Sequence, residues 1–170
     1  TGACTLKVRF DGGFRRKPGL SYSDAEIFVL NGQIKVGKQV WIEGHYAFIP
    51  AGMAIGAIEV PQGAEVLLMF NDSEPSFAET DQHHRLALTD AFSSVNSYED
   101  RPWAPGNLVN PSVASGCLIK VLHYDVMTEA LSFLYCMTPQ FAQDNISYHD
   151  SAEESYHIWG SSWMMQFGEL

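Results

Sequence analysis

Short runs in which apolar and polar residues alternate follow one another along residues 1–72. Examples are TLKVRF at 5–10, QIKVG at 33–37 and AEVLLMF at 64–70. Successive side chains of a β-strand point to opposite faces, so this alternation predicts strands with one buried face. Glycine or proline separates nearly all of the runs, which is typical of an antiparallel sandwich or small barrel. Residues 1–72 are therefore predicted to be all-β.

The dipeptide Asn31-Gly32 is the strongest local turn signal in the chain, because it stands between the apolar runs EIFVL and QIKV. Asn-Gly readily adopts the positive φ angles that a two-residue hairpin turn needs. The sequence thus predicts two strands, AEIFVLNG and GQIKVG, paired across this turn.

The pattern changes at residues 73–115, which are polar and contain four prolines, and where only HRLALTDAF is briefly helical in pattern. A connection of this length is normally a linker, a lid or a functional loop, and we interpret it as a crossover linker. Strand patterning resumes in residues 116–170, with CLIKVLHYDV and EALSFLYCMTP. The chain therefore divides into a first β unit, a linker and a second β unit.

Composition narrows the classes of function. The chain is 46% hydrophobic and 18% charged, as globular proteins are, and its formal net charge of −10 repels phosphate backbones and anionic membranes. No apolar run is long enough to span a membrane. Three cysteines without paired spacing fit a reducing, cytoplasmic compartment. We expect neither a nucleic-acid nor a membrane partner, and a small-molecule ligand instead.

One stretch, ISYHDSAEESYHIWG at 146–160, carries candidate metal ligands. On a regular strand His149, Glu153 and His157 would share one face, and imidazole and carboxylate groups bind Zn, Fe, Mn or Ni. The alternative is an exposed polar strand without a metal. A repeat is also visible, because residues 23–38 and 151–166 share the same layout at a constant offset of 128: acidic residues, a strand, a turn glycine and a second strand.

These features resemble the cupin superfamily. GHYAFIPAGMAI at 44–55 matches the frame of the second cupin motif, with Gly44, Pro50 and Gly52 at the expected spacing, and AEIFVLNG and EESYHIWG are similar to the core of the first motif. The likeness extends to two-repeat cupins, including the sensor domains of ChrR-type anti-sigma factors. It implies an all-β fold, with an antiparallel jelly-roll-like cupin barrel at 1–72 and the N-terminal half of a second cupin repeat at 116–170.

The resemblance also implies where metal ligands would stand. In the first repeat the ligand positions fall on residues that cannot hold a divalent ion, namely Gly19, Ser21, Ala25 and Ile55. In the second repeat His149 and Glu153 fit ligand positions. His157 lies further along, where a hydrogen-bonded pocket side chain is favoured over a ligand. We therefore expect no tightly bound metal in this chain, and a divalent transition metal only if the second barrel is completed.

About one and a half repeats are present, because the second motif of the second repeat would begin beyond Leu170. The sequence is then expected to be a piece of a longer protein, or its last strands are completed by the first barrel or a partner. Exposed strand edges and an unfinished apolar face favour pairing with another chain, so a homodimer is expected.

Three interpretations of function stay open. The first is a cupin-fold small-molecule-binding protein that acts as a metal-dependent oxygenase, isomerase or lyase through its second barrel. The second is a non-catalytic ligand sensor or binding module, whose metal-free first barrel binds an apolar ligand among Tyr22, Phe28, Tyr46 and Phe48. The third is an interaction scaffold held together by sheet edges.

Overall fold

A computed structural model describes residues 2–71, 73–80, 94–143, 151–164 and 168–169. All strand pairs in it are antiparallel, and its only described helix is one 3-10 turn at Gly106–Leu108. The strands are β1 (Cys4–Phe10), β2 (Phe14–Arg16), β3 (Gly19–Ser21), β4 (Ala25–Val36), β5 (Gln39–Ile42), β6 (His45–Ile49), β7 (Ala54–Ile55), β8 (Ile58–Val60), β9 (Ala64–Phe70), β10 (Phe77–Glu79), β11 (Ser94–Asn96), β12 (Ala104–Pro105), β13 (Cys117–Tyr124), β14 (Leu131–Met137), β15 (Trp163–Met164) and β16 (Gly168–Glu169).

The first unit is the antiparallel barrel that the sequence predicts. Its main sheet has the order β1-β9-β4-β6-β11, and β5, β8 and β2 continue this sheet from the second half of β4. A small sheet, β10-β3-β7, completes the unit. The all-β prediction is confirmed for the described residues 2–71.

The predicted hairpin at Asn31-Gly32 is wrong, because β4 runs without interruption from Ala25 to Val36. Gly32 has a positive φ of 84°, and the register of β4 against β9 shifts between Val29 and Asn31. A bulge of this kind bends a strand without reversing it. The tight turn lies instead at Gly37-Lys38, where Val36 pairs with Gln39 of β5.

The alternation along β4 divides its side chains between two hydrophobic cores. Val29 belongs to the first core together with Trp41, Ile49 and Val66. Ile27, on the same face of β4, is partly buried against this core. Phe28 faces the other way, into a second core with Tyr46 and Leu67. The main sheet is therefore covered on both faces. This explains why few side chains in the first half of β4, its central strand, are exposed.

Residues 73–115, predicted to be a linker, contribute strands to the first unit. Strand β10 pairs with β3, and β11 pairs with β6 at the edge of the main sheet. Within the described ranges, no helix is long and apolar enough to cross a lipid bilayer.

The second β unit begins with the hairpin β13–β14, whose Leu122 and Leu134 pack on the second core. The strand predicted over 146–160 is wrong for its described part, because residues 151–160 form no strand. Side-chain contacts hold this segment instead: Thr5 donates a 2.6 Å hydrogen bond to Glu154, and the Trp159 ring lies 5.1 Å from Tyr98. Alternating side chains alone do not make a strand when no neighbouring backbone pairs with it.

Candidate ligand site in the first barrel

The four positions at which the cupin frame would place metal ligands lie in the small sheet and at the start of β4. Gly19 pairs with Ile55 across β3 and β7, and Ser21 ends β3. Ala25 begins β4. All four residues are buried, and Ala25 and Ile55 belong to the first hydrophobic core. Hydrogen, methyl and alkyl side chains at three of these positions offer no ligand atom.

The space that a ligand would need at Gly19 is already filled. A Cβ atom at this position would collide with the Phe77 ring and with the carbonyl oxygen of Ala78, both from β10. The Ser21 hydroxyl is also committed, because it donates a 2.7 Å hydrogen bond to the carbonyl oxygen of Ser23. The residues of the first barrel therefore do not fit a divalent metal.

The candidate ligands of the second repeat lie only partly within the part of the chain that the structure describes. His149 lies outside it. Glu153 is exposed, and His157 is half-buried with its Nε2 atom 3.1 Å from the Ser162 hydroxyl. Across all described ranges, no group of three His, Cys, Asp or Glu side chains could hold a metal ion.

An apolar cavity of about 50 Å³ lies inside the first barrel. Its lining consists of side chains from β1, β2, β4, β5, β8 and β9, namely Phe10, Arg16, Ile27, Ile34, Val36, Trp41, Ile58, Val66 and Leu68. Arg16 is the charged member of this lining. A second, open groove of about 460 Å³ lies beside it, and Arg16 and Ile58 line both spaces.

Arg16 is the last residue of β2 and pairs with Ile58 of β8, which places it between the cavity and the groove. Its guanidinium carbon lies 3.8 Å from the centre of the Phe77 ring, a cation–π contact. Burial lowers the pKa of Arg16, and the Glu79 carboxylate opposes that shift. The sequence interpretation missed this residue. The signal was the run Arg15-Arg16-Lys17, which holds three of the ten basic residues of an acidic chain.

The four aromatic residues predicted to line a ligand pocket do not line this cavity. Phe28 and Tyr46 are buried in the second core, beneath the β13–β14 hairpin. Phe48 stacks on the His123 ring at 3.8 Å between centroids. Tyr22 is 56% exposed. Three of the four thus pack where the barrel meets the second unit.

That junction also contains a buried polar cluster which the sequence interpretation did not identify as such. Glu26 is 1% exposed and accepts a 2.5 Å hydrogen bond from the Tyr46 hydroxyl and another from the Asn71 amide nitrogen. Burial and then the nearby Glu26 raise the pKa of Tyr46 far above its ordinary value. Because its carboxylate is paired and lines neither the cavity nor the groove, the cluster cross-links β4, β6 and the end of β9 rather than facing a ligand.

The antiparallel barrel and the cupin motif frame that it carries define a protein with a cupin fold. The chain belongs to the family DUF4437, a domain of unknown function, which it matches over residues 1–167. No curated protein sequence matches it significantly.

Two solved structures illustrate the likeness. A protein from Nostoc punctiforme described as a "putative dioxygenase" is 28% identical with a TM-score of 0.70; the match covers 82% of this chain and 49% of that one. A variant of oxalate decarboxylase from Bacillus subtilis is 14% identical with a TM-score of 0.51, covering 81% and 50%. The second likeness concerns the fold alone. This chain spans about half the length of both proteins.

Proposed function

We propose that the first barrel is a non-catalytic binding module for a small molecule. The proposal rests on an apolar cavity in a barrel whose metal-ligand positions offer no free ligand atom, since three lack one and the Ser21 hydroxyl is committed to Ser23. Gly19 and Ile55 face each other where ligating side chains would be needed, and Phe77 fills the space between strands. Chemistry that depends on a metal is therefore unsupported in this barrel, whereas burial of an apolar group is favoured.

Xenon is a suitable first probe, because it enters small apolar cavities without needing a polar partner. Trp41 lines the cavity and is 2% exposed, so its indole NMR signal reports on occupancy. We expect xenon to shift this signal in the wild-type chain and to have less effect in Val66→Ile, which adds a methyl group to the cavity lining. Val8→Ile is the matched control, since Val8 packs on the same core outside the cavity.

A wild-type chain whose Trp41 signal does not respond to xenon would overturn the proposed function. So would an equal response in Val66→Ile, because the probe would then bind elsewhere.

A second candidate function is a metal-dependent oxygenase, isomerase or lyase that uses a completed second barrel. The 28% identity to a protein described as a "putative dioxygenase" favours it. His149 and Glu153, with His157 as a further candidate, would hold the metal, which would polarise a substrate or activate water or oxygen. Two secure protein ligands are fewer than stable sites use.

Elemental analysis after dialysis against a chelator separates the two candidates. We expect less than stoichiometric metal in this chain. Stoichiometric metal that is lost in Glu153→Gln would instead support the enzyme. We also propose that the chain assembles as a homodimer along the edge strand β14.

A further inference from the structure

We infer that Arg16 binds the carboxylate of a short aliphatic acid whose carbon chain enters the barrel cavity. This inference rests on the proposed function and names the class of its ligand. Arg16 and Ile58 are the two residues that line both the apolar cavity and the open groove. A molecule with one charged end and one apolar end matches this junction.

The Arg16 side chain has an unused hydrogen-bond donor. Its Nε atom is buried, and no acceptor for it exists among the residues that the structure describes. A buried donor without an acceptor is unfavourable, and guanidinium N–H groups are especially costly to leave unpaired. The Phe77 ring packs against the guanidinium face and leaves the donors at its edge for an acceptor. A carboxylate matches this edge, because its two oxygens accept two parallel N–H bonds.

The charges of the groove favour a monoanion. Arg15, Arg16 and Lys17 line it together with only two carboxylates, Glu59 and Glu79. This local excess of positive charge contrasts with the net charge of −10 for the whole chain. The groove therefore attracts an anion that most of the surface repels.

The two volumes set the size of the ligand. A cavity of about 50 Å³ is much smaller than the roughly 150 Å³ cavity that admits benzene, so it accepts only a few carbon atoms. The groove, at about 460 Å³, lies within the range of ligand pockets of roughly 300–1,000 Å³ and holds the charged end. Inorganic phosphate satisfies the charge but leaves the cavity empty, so a carboxylate with an aliphatic tail fits better.

The test is calorimetric titration of the chain with butyrate, with its neutral analogue butyramide and with inorganic phosphate. We expect butyrate to bind at least about tenfold more tightly than either, because only butyrate combines the charge with the tail. In Arg16→Gln the butyrate affinity should fall by at least about tenfold, and in Arg16→Lys it should fall less, since a point charge remains. Arg9→Gln is the matched control, because Arg9 is an exposed strand residue that lines neither space.

Each outcome decides the inference. Equal binding of butyrate and butyramide by the wild type, which needs no variant to fold, would overturn it. Binding of phosphate as tight as that of butyrate would also overturn it. If the chain bound xenon but not butyrate, the inference that Arg16 binds a carboxylate would be overturned, whereas the proposed function would not be. If the chain bound neither xenon nor butyrate, both the inference and the proposed function would be overturned.

Discussion

Gly32 shows at the residue scale how one position determines the course of a strand. Its φ of 84° is in the left-handed region, and a Cβ there would collide with the Gly63 carbonyl oxygen and lie 2.9 Å from the Ala64 Cα. We expect Gly32→Ala to lower the free energy of unfolding by about 1–2 kcal/mol for the backbone conformation and about 1–3 kcal/mol more for the overlap. Urea denaturation measures the change.

Gly52 provides the matched control, because its φ of 80° is similar but nothing lies within 4 Å of a Cβ there. Gly52→Ala should carry the backbone cost alone. Equal losses for the two variants would show that the close approach at Gly32 is unimportant.

Tyr46, in the buried cluster with Glu26, makes the stability of the folded chain depend on pH. Burial and the Glu26 charge raise its pKa in the folded state above the ordinary value of 10.0, and burial raises the pKa of Tyr98 to about 12. The unfolded chain therefore loses these protons first as pH rises, so stability is fully present below pH 10 and falls above it. The buried Tyr46 phenol adds up to about 1.4 kcal/mol per pH unit to that fall, and solvent screening makes the contribution of the partly exposed Tyr98 smaller.

Replacement of Tyr46 by Phe should reduce the alkaline slope by one such contribution. At neutral pH the same change should lower the free energy of unfolding by about 1.5–3 kcal/mol, because the Glu26 carboxylate loses a hydrogen bond. Tyr22→Phe, on an exposed side chain, is the control. Denaturation midpoints measured from pH 7 to 11 would contradict this prediction if the slope of Tyr46→Phe matched that of the wild type.

At the scale of elements, Lys120 connects β13 to the segment that follows β11 through hydrogen bonds. Its ammonium donates hydrogen bonds to the carbonyl oxygens of Ser97 at 2.7 Å and Tyr98 at 3.1 Å, and lies 4.7 Å from the centre of the Trp103 ring. The residue is only 4% exposed. We expect Lys120→Met to lower the free energy of unfolding by about 1.5–3 kcal/mol, since the bonds involve a charged donor.

Lys35→Met is the matched control, because Lys35 is exposed on β4. Thermal denaturation compares the two variants. A loss no larger for Lys120→Met than for Lys35→Met would mean that these contacts do not hold β13 in place.

At the scale of the whole molecule, the hairpin β13–β14 presents an uncovered apolar face. Val121 and Phe133 form a cross-strand pair that is 39% and 36% exposed, and Met137 on the same face is 42% exposed. Strand β14 lies at the edge of its sheet and has no charged residue in LSFLYCM. Uncharged edges pair readily with other strands, and two acidic copies meet with least repulsion at this uncharged surface.

We therefore predict a dimer that forms along β14. Light scattering should give twice the chain mass at micromolar concentration, and Phe133→Lys should give the monomer. Val40→Lys, on an exposed position of β5, is expected to leave the dimer intact. A wild-type monomer at these concentrations would rule the dimer out.

Several features of the molecule follow from the sequence alone. Alternating runs such as AEVLLMF define β9, because a half-buried strand requires a side-chain period of two. The frame of Gly44, Pro50 and Gly52 predicted a cupin fold correctly, since turns and their glycines depend on local backbone conformation.

The tertiary structure decided the rest. Asn31-Gly32 is locally typical of a turn, but pairing with β9 on one side and with β6 and β5 on the other keeps β4 extended. The register shift falls at Leu30, and Gly32 stays paired with Ala64. Polar and apolar residues alternate in the 151–160 segment as they do in a strand, yet its backbone pairs with no neighbouring strand. Arg16 became a site residue only when folding placed it between a cavity and a groove. Periodicity specifies which face a side chain takes, whereas pairing partners and enclosed space depend on residues far apart in the chain.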